Sequence, residues 1–226
     1  MKFMKDAMTD GAKRVFKFIK EHERYPKTLR MVDSTNKSHI LTKAQYMGLF
    51  EAENVFRIKH GRQPNYVTYN STASNPLALD YQDGKMTCCP TSLSMCSQLL
   101  FHFKSENQCK KALKTDPKKG TSPDKLVNNA KDLGFKVVII ERDYKKVVKA
   151  LDCGYGVLMH IETAKKTRPK CLGYTNNYGH YVCCYKAKNN KYYIADPTKG
   201  FKTCKASEID KAKNDRDLKY YIIKPL

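Results

Sequence analysis

Two residues in the middle of the chain are typical of a thiol nucleophile and its oxyanion donor. Cys88 stands just before Pro90 and an apolar pattern at helical spacing, so the sequence predicts it at the N-terminus of a helix. Backbone N–H groups at such a terminus favour a thiolate and lower the pKa of the thiol. Gln82 lies shortly upstream in a loop that contains Gly84, where a side-chain amide can stabilise an oxyanion.

A proton-transferring base and a group to orient it are found further along the chain. His180 opens one apolar strand and Asp196 closes the next, and the two strands are predicted to form a hairpin across residues 188–191. The hairpin would make His180 and Asp196 neighbours, as thiol catalysis requires. Three tyrosines close to His180 are predicted to line the substrate cleft: Tyr174, Tyr178 and Tyr181.

The elements that must position these residues follow an α+β order, with helices first and mostly antiparallel strands afterwards. Apolar periodicity, caps and β-branched runs define them. The predicted helices are the segment after Cys88, residues 122–133 and residues 143–151. The predicted strands are residues 135–141, 156–161, 181–185, 192–196 and 218–223.

The charge of the chain favours an anionic partner. Its 226 residues include 43 Lys and Arg against 22 Asp and Glu, a net charge of +21. Nucleic acid, an anionic membrane surface and a wall polymer all fit this charge. No apolar run approaches the roughly 20 residues of a membrane span, the charged N-terminus predicts no secretory signal, and no motif indicates a specific nucleic-acid partner.

The nine cysteines are an odd number and include two vicinal pairs. A small secreted scaffold would have an even set, so the sequence predicts a reducing compartment in which most thiols are small buried hydrophobes. No C-x-x-C spacing occurs, and no metal site is predicted. A metal site that includes Cys171 and Cys204 lacks support from spacing.

The first 70 residues contain no Cys and carry an internal repeat. Phe18, His22, Arg24 and Pro26 recur with the same spacing as Phe56, His60, Arg62 and Pro64. Each unit is predicted to be a helix that ends before its Pro, and Gly61 is a suitable residue to terminate the second helix. The prediction is a small all-helical domain over residues 1–70, a linker over residues 71–76 and a second domain over residues 77–226.

The second domain resembles the cysteine peptidases that cleave double-glycine leaders. The resemblance lies in Gln82-x5-Cys88-Cys89-Pro90-Thr91-Ser92-Leu93, Gly179-His180-Tyr181-Val182 and Tyr192-Tyr193-Ile194-Ala195-Asp196-Pro197. It implies a papain-like fold, in which a helix carrying the Cys packs on a mostly antiparallel sheet. It also implies Cys88 as nucleophile, His180 as base, Asp196 as its orienter and Gln82 at the oxyanion hole. That family usually has Gly after the nucleophile, so Cys89 stays open as an alternative nucleophile.

The second N-terminal unit is similar to the pseudomurein-binding repeats of methanogenic archaea and their viruses. The similarity lies in Tyr46-x9-Phe56-x4-Gly61-Arg62-Gln63-Pro64-Asn65-Tyr66-Val67, and the first unit is a degenerate copy. Together the two resemblances imply a pseudomurein endoisopeptidase, a viral enzyme that lyses methanogen walls. Such an enzyme cleaves the isopeptide bond between alanine and the side-chain amine of lysine.

This resemblance implies the pseudomurein cell wall as partner, and no cofactor, although a divalent cation such as calcium stays open. The protein would be made in the host cytoplasm without a signal peptide and would act on the wall after release. Three alternatives stay open: a non-catalytic pseudomurein-binding adhesion protein, a leader peptidase for double-glycine precursors, and a nucleic-acid binder indicated only by the charge.

Overall fold

A computed structural model describes residues 1–69, 72–163, 169–175, 178–211 and 218–226. The helices are α1 Lys5–His22, α2 Lys43–His60, α3 Cys88–Leu99, α4 Glu106–Ala112, α5 Pro123–Asn129, α6 Tyr144–Asp152 and α7 Ala206–Asp210. The strands are β1 Lys2–Met4, β2 Thr28–Val32, β3 Ser38–Thr42, β4 Tyr66–Thr68, β5 Phe135–Ile140, β6 Gly156–Glu162, β7 Gly179–Lys188, β8 Lys191–Asp196, β9 Gly200–Lys205 and β10 Tyr220–Pro225. Short 3-10 helices cover Ala130–Leu133 and Lys170–Leu172.

The N-terminal region contains strands as well as helices, so the predicted all-helical domain is wrong. Each of its two 18-residue helices lies between two short strands of three to five residues. Strand β1 pairs with β4, and β2 pairs with β3, both antiparallel. Strands this short leave a weak pattern beside two long helices. Strands β2 and β3 form a local hairpin across residues 33–37, whereas β1 pairs with β4 at the far end of the region.

The sequence repeat corresponds to two strand–helix–strand units whose strands pair with each other. The first strand of each unit pairs with the last strand of the other. Phe3 lies opposite Val67 in one sheet, and Leu29 lies opposite Leu41 in the equivalent position of the other. All four side chains are buried. Each small sheet therefore contributes one buried pair, at equivalent positions, to the same core.

The ends of helix α2 follow the signals in the sequence. Helix α2 starts with a capping box between Thr42 and Gln45. It ends at Gly61, which adopts a left-handed conformation with φ of 65° and donates its N–H to the Arg57 carbonyl. The predicted role of Gly61 is confirmed, because this conformation costs glycine little.

The second part of the chain is built on one antiparallel sheet of six strands, in the order β5-β10-β6-β7-β8-β9. The α+β order and the predicted strands are confirmed, and β9 was not predicted. The C-terminal strand β10 inserts between β5 and β6, where it pairs with both. The sequence pattern of β10 does not reveal which two strands it pairs with.

Helix α3 is the central helix that packs on this sheet. Every residue of α3 from Cys89 to Leu99 is buried. Gly156 at the start of β6 permits the close approach, since a Cβ there would lie 2.7 Å from the Cβ of Cys96. The helix that begins with Cys88 is therefore held rigidly against β6 and β7, as predicted for this class of fold.

The N-terminal units and the sheet domain share one hydrophobic core. The Phe101 ring, just after α3, contacts the rings of Tyr25, Tyr46 and Phe50 at centroid distances of 4.8–6.0 Å. The Tyr25 hydroxyl donates to the Leu99 carbonyl at 2.9 Å. Part of the predicted linker is also fixed, because Asn54 donates its side-chain N–H to the Pro76 carbonyl at 2.7 Å. Residue 71 of that linker lies outside the described residues.

Cysteine chemistry differs from the prediction in one respect. Five of the free thiols are buried, as expected: Cys89, Cys96, Cys109, Cys183 and Cys184. Cys171 and Cys204, however, form a disulfide that joins the 3-10 helix before β7 to strand β9. The vicinal pairs and the odd number of cysteines predict a reducing compartment. They do not reveal this disulfide, because it joins two distant segments whose Cα atoms come within 5.6 Å. Among the described helices, none is long and apolar enough to span a bilayer.

Candidate active site

Cys88 is the first residue of α3, and its side chain is half-buried at one end of the sheet. The Thr91 hydroxyl and N–H both bond to the Thr87 carbonyl, which fixes the first turn. The neighbouring Cys89 is completely buried. Only the first of the two adjacent thiols is therefore accessible to a substrate.

The hairpin between β7 and β8 brings His180 and Asp196 together, as predicted. Its two-residue turn consists of Asn189 and Asn190, both left-handed with φ of 53° and 55°, a conformation that Asn tolerates and that suits a tight hairpin. His180 Nε2 lies 3.1 Å from Asp196 Oδ1, and both side chains are buried. The Nδ1 atom of His180 is then available to exchange a proton with the Cys88 thiol.

The electrostatics of the three residues favour an ion pair between thiolate and imidazolium. Burial by itself would raise the pKa of the Cys88 thiol, but the hydrogen bond and charge of His180 outweigh it and lower that pKa. Burial opposes the charged form of His180, yet its hydrogen bonds to Asp196 and Cys88 raise the pKa to about 9. Both shifts favour transfer of the thiol proton from Cys88 to His180.

Asp196 is kept ionised by a dense set of donors. Burial would raise the pKa of the carboxyl, but the bonds from His180 and Tyr174 lower it. The backbone N–H groups of Thr198 and Lys199 also donate to Oδ1, at 2.8 and 3.1 Å. The loop after β8 thus holds the carboxylate in one orientation behind the imidazole.

Tyr174 takes a different position from the predicted one. It is only 4% exposed, and its hydroxyl lies 2.7 Å from both oxygens of Asp196 and 2.8 Å from Nε2 of His180. Burial and the charge of Asp196 raise the pKa of Tyr174 well above its usual range, so the hydroxyl stays a donor. It does not line the cavity at Cys88, because the chain before β7 folds behind the imidazole. A lone Tyr in a loop gives no sequence signal for this contact.

A cavity of about 680 Å³ opens in front of Cys88 and His180. Its lining residues are Gln82, Lys85, Met86, Cys88, Lys119, Gly120, Thr121, Ser122, Pro123, His160, Tyr178, Gly179, His180, Tyr181 and Thr198. Tyr178 and Tyr181 therefore lie where the sequence placed them. The Tyr181 ring stacks on His160 at 4.1 Å, which gives the cavity one flat aromatic wall.

Gln82 reaches the same cavity from the loop before α3. Its Nε2 donates to the Gly84 carbonyl at 2.6 Å, and its Oε1 accepts a bond from the Thr198 hydroxyl at 3.1 Å. The Gln82 N–H donates to the Pro197 carbonyl at 3.0 Å. These bonds fix the amide between the loop that precedes Cys88 and the loop that follows Asp196, with one N–H of the amide left for a ligand.

The described rim of the cavity is basic. Lys85 and Lys119 both line it, and no Asp or Glu occurs among its described lining residues. The segment 119–123 that forms one wall was not identified from the sequence, because small and polar residues in a loop give no functional signal. Within the described ranges, no three His, Cys, Asp or Glu side chains converge as a metal site.

Comparisons with known proteins agree with this geometry. The model of the Peptidase C39 family matches residues 77–212. The peptidase domain of Streptococcus ComA, a bi-functional ABC transporter involved in a quorum-sensing pathway, is 22% identical with a TM-score of 0.50 over 66% of this chain and 98% of that chain. A double-glycine-motif protease from an AMS/PCAT transporter, solved with its leader peptide, is 17% identical with a TM-score of 0.50 over 66% and 92%. A comparison with curated proteins finds no match.

The solved structures support the fold alone, since both are below 25% identity. The family match covers more than half of the chain and contains all the residues assembled around the cavity. It also extends from the start of the second domain to the end of α7. The chain therefore belongs to the Peptidase C39 family of cysteine peptidases.

Proposed function

We propose that the protein is a cell-wall lytic cysteine peptidase that cleaves the Ala–Lys isopeptide cross-link of pseudomurein, as a viral endolysin. The observation that carries the peptidase assignment is the arrangement of Cys88, His180 and Asp196 at one cavity, with Gln82 on its wall. The likeness of the N-terminal units to pseudomurein-binding repeats supports the choice of substrate.

The Cys88 thiolate attacks the carbonyl carbon of the isopeptide bond, forming a C–S bond and a tetrahedral oxyanion. The Gln82 amide and a backbone N–H at the start of α3 donate hydrogen bonds to that oxygen. His180, already protonated, gives its proton to the departing lysine amine as the C–N bond breaks. The product at this stage is a thioester between the alanine acyl group and Cys88.

Water then completes the reaction. Neutral His180 removes a proton from the water, whose oxygen attacks the thioester carbonyl and displaces the Cys88 thiolate. Asp196 and Tyr174 keep Nε2 of the imidazole bonded throughout, so Nδ1 stays directed at the thiol. The buried position of this pair fixes the imidazole without solvent competition.

The N-terminal units would concentrate the peptidase on the wall. They pack tightly on the catalytic part through Phe101, so binding by one part fixes the position of the other. The net charge of +21 favours an anionic polymer over a neutral one. In this proposal the enzyme is made in the host cytoplasm and reaches the wall when the membrane is opened, and it needs no resident cofactor.

A second candidate is a leader peptidase for double-glycine precursors. The observation in its favour is the fold shared with a double-glycine-motif protease that was solved with its leader peptide. The two candidates use the same chemistry and differ only in substrate. A leader ends in two glycines, whereas the wall cross-link presents an alanine joined to a lysine side chain.

The test uses two synthetic substrates of equal length and mass spectrometry of the products. One contains an alanine linked to the Nε atom of a lysine, and the other contains a Gly-Gly leader sequence. Wild type is compared with Cys88→Ala and with Cys153→Ala, which removes a half-buried free thiol that does not line the cavity.

Cleavage of the isopeptide by wild type and Cys153→Ala, but not by Cys88→Ala, is the expected result. Preference for the leader would assign the second candidate. Equal cleavage by Cys88→Ala would move the nucleophile elsewhere. The absence of cleavage of either substrate would overturn both candidates and favour a binding protein on the wall.

A further inference from the structure

The disulfide between Cys171 and Cys204 is anchored in the loop that supports the catalytic base. This loop, residues 169–175, lies in the connection between β6 and β7 and is here called the Tyr174 loop. Cys171 belongs to its 3-10 helix, and Tyr174 follows three residues later. The Tyr174 hydroxyl is bonded to both oxygens of Asp196. One short segment therefore joins the disulfide to the carboxylate that orients the base.

The other half of the disulfide lies in the hairpin that carries Asp196. Cys204 is in β9, which pairs with β8, and Gly200 at the start of β9 is the register partner of Asp196. The turn between the two strands supplies the backbone N–H groups of Thr198 and Lys199 that bond to Asp196. The disulfide therefore attaches the Tyr174 loop to the same hairpin that holds the carboxylate.

Noncovalent contacts add to this attachment. The Cys171 N–H donates to Glu208 Oε1 at 2.9 Å, and the Leu172 side chain is buried. The Lys199 ammonium lies 5.6 Å from the centre of the Tyr174 ring. Such contacts form and break readily, whereas a covalent cross-link between distant segments restricts the chain between them permanently. Opening the disulfide therefore leaves the position of Tyr174 dependent on noncovalent contacts.

The disulfide is open to thiol reagents at one end and separate from the nucleophile. Cys171 is half-buried, whereas Cys204 is 1% exposed, so a reagent meets the bond at Cys171. Neither cysteine occurs among the described lining residues of the cavity at Cys88. Thiol–disulfide exchange depends on access to the sulfur that is attacked. The bond can therefore open and close while Cys88 remains a free thiol.

We propose that the Cys171–Cys204 disulfide is a redox switch of the peptidase. Closed, it holds the Tyr174 hydroxyl on Asp196; open, it releases the Tyr174 loop and lowers activity. This inference deepens the proposed function, on which it rests, by naming the regulation of the same site. In that function cytoplasmic thiols keep the switch open, and the enzyme gains full activity once it has left the cell.

The exchange is balanced by a dithiol reductant in one direction and a small-molecule disulfide in the other. One thiolate of the dithiol attacks Sγ of Cys171, forms a mixed disulfide and expels the Cys204 thiolate, which takes up a proton. The second thiol of the reductant then closes on the first and releases Cys171. Two electrons pass from the dithiol to the protein, and the dithiol becomes a disulfide. Exchange of the two protein thiols with a small-molecule disulfide reverses both steps.

The test compares wild type with the bond closed, wild type reduced by dithiothreitol, and the double variant Cys171→Ala with Cys204→Ala. Peptide mass spectrometry establishes the state of the bond in each sample. Cys153→Ala, which keeps the disulfide and removes a half-buried free thiol, is the control. Wild type and the double variant are also made with Tyr174→Phe. The readouts are kcat and KM on the isopeptide and Gly-Gly substrates, and the rate of Cys88 alkylation by iodoacetamide at pH 5, which needs no substrate.

We expect reduction and the double variant each to lower kcat about tenfold with KM within about threefold, because one hydrogen bond to a buried charged group is weakened. Alkylation of Cys88 at pH 5 should slow by at least about threefold, since the Tyr174 bond helps to keep Asp196 ionised. With Tyr174→Phe, opening the bond should change either rate by less than about threefold, because the hydroxyl through which it acts is absent. Cys153→Ala should behave as wild type.

Equal losses with and without the Tyr174 hydroxyl would show that the disulfide acts on stability alone and would overturn the switch. Unchanged kcat and alkylation after opening would overturn it as well. A loss on reduction that also occurs in the double variant would place the sensitive thiol elsewhere. If the double variant does not fold by circular dichroism, reduced wild type decides the comparison. If no protein cleaves either substrate, the proposed function fails, and Cys88 alkylation still decides the switch.

Discussion

The hydroxyl of Tyr174 can be removed with little other change to the molecule. In Tyr174→Phe the ring keeps its buried position, and only the atom bonded to Asp196 and His180 is lost. Asp196 keeps its bonds from His180 and from two backbone N–H groups, so the triad stays assembled. The variant therefore tests whether the Tyr174 hydroxyl positions Asp196 and His180, rather than whether it stabilises the fold.

The size of the effect follows from the bond that is lost. A hydrogen bond to a buried charged group contributes about 1.5–3 kcal/mol, and a tenfold change in rate corresponds to about 1.4 kcal/mol. If the bond acts fully in the transition state, kcat falls roughly 10- to 100-fold while KM changes little. The Tyr174 bond also lowers the pKa of Asp196. Its loss raises that pKa, so the acid limb of kcat/KM moves to higher pH.

The assay is steady-state hydrolysis of the isopeptide substrate between pH 4 and pH 9. Tyr193→Phe is the control, because it removes one hydroxyl from the same sheet at a residue that does not line the cavity. A kcat within twofold of wild type, with an unmoved acid limb, would refute the positioning role of Tyr174. A fall in activity with unchanged pH dependence and a lower melting temperature would assign Tyr174 to stability alone.

Three further predictions concern the neighbouring residues. Gln82→Ala should lower kcat roughly 10²–10³-fold with the fold intact by circular dichroism, and a loss below threefold would remove Gln82 from the oxyanion hole. Cys89→Ala should keep activity within about threefold, because burial raises the pKa of the Cys89 thiol and disfavours a thiolate there. It should lose about 1–3 kcal/mol of unfolding free energy, because the side chain is buried. Inactivity in a folded protein would instead make Cys89 the nucleophile. Gly156→Ala should destabilise the protein by about 1–3 kcal/mol in urea, because its Cβ would meet Cys96 at 2.7 Å. An unchanged midpoint of urea unfolding would show that α3 and β6 can move apart without a loss of stability.

The order of the elements, the start of α3 at Cys88 and the proximity of His180 to Asp196 were predictable because their signals are local. Pro90 after Cys88 indicated the start of α3, and the turn of the hairpin placed His180 near Asp196. The assignment of Cys88 over Cys89 was open at the sequence level. The structure favours Cys88 because one thiol contacts His180 and the other is buried in the helix–sheet interface.

Features that depend on distant segments were not predictable. Strand β1 at the start of the chain pairs with β4, beyond both long helices, and nothing in either short segment reveals its partner. The disulfide between Cys171 and Cys204 joins two segments far apart in the sequence. Tyr174 was assigned to the cleft from its proximity to His180, whereas its loop folds behind the imidazole.

The sequence alone indicated which groups could act as nucleophile, base and orienter, because residue type, spacing and the resemblance to a peptidase family are visible without a structure. It also determined the repeat, because duplicated residues are visible without a structure. Only the tertiary structure decided which thiol is accessible, where β10 inserts and what holds Asp196 ionised. These depend on burial and on contacts between segments far apart in the chain, and burial is a property of the whole fold rather than of any stretch of sequence.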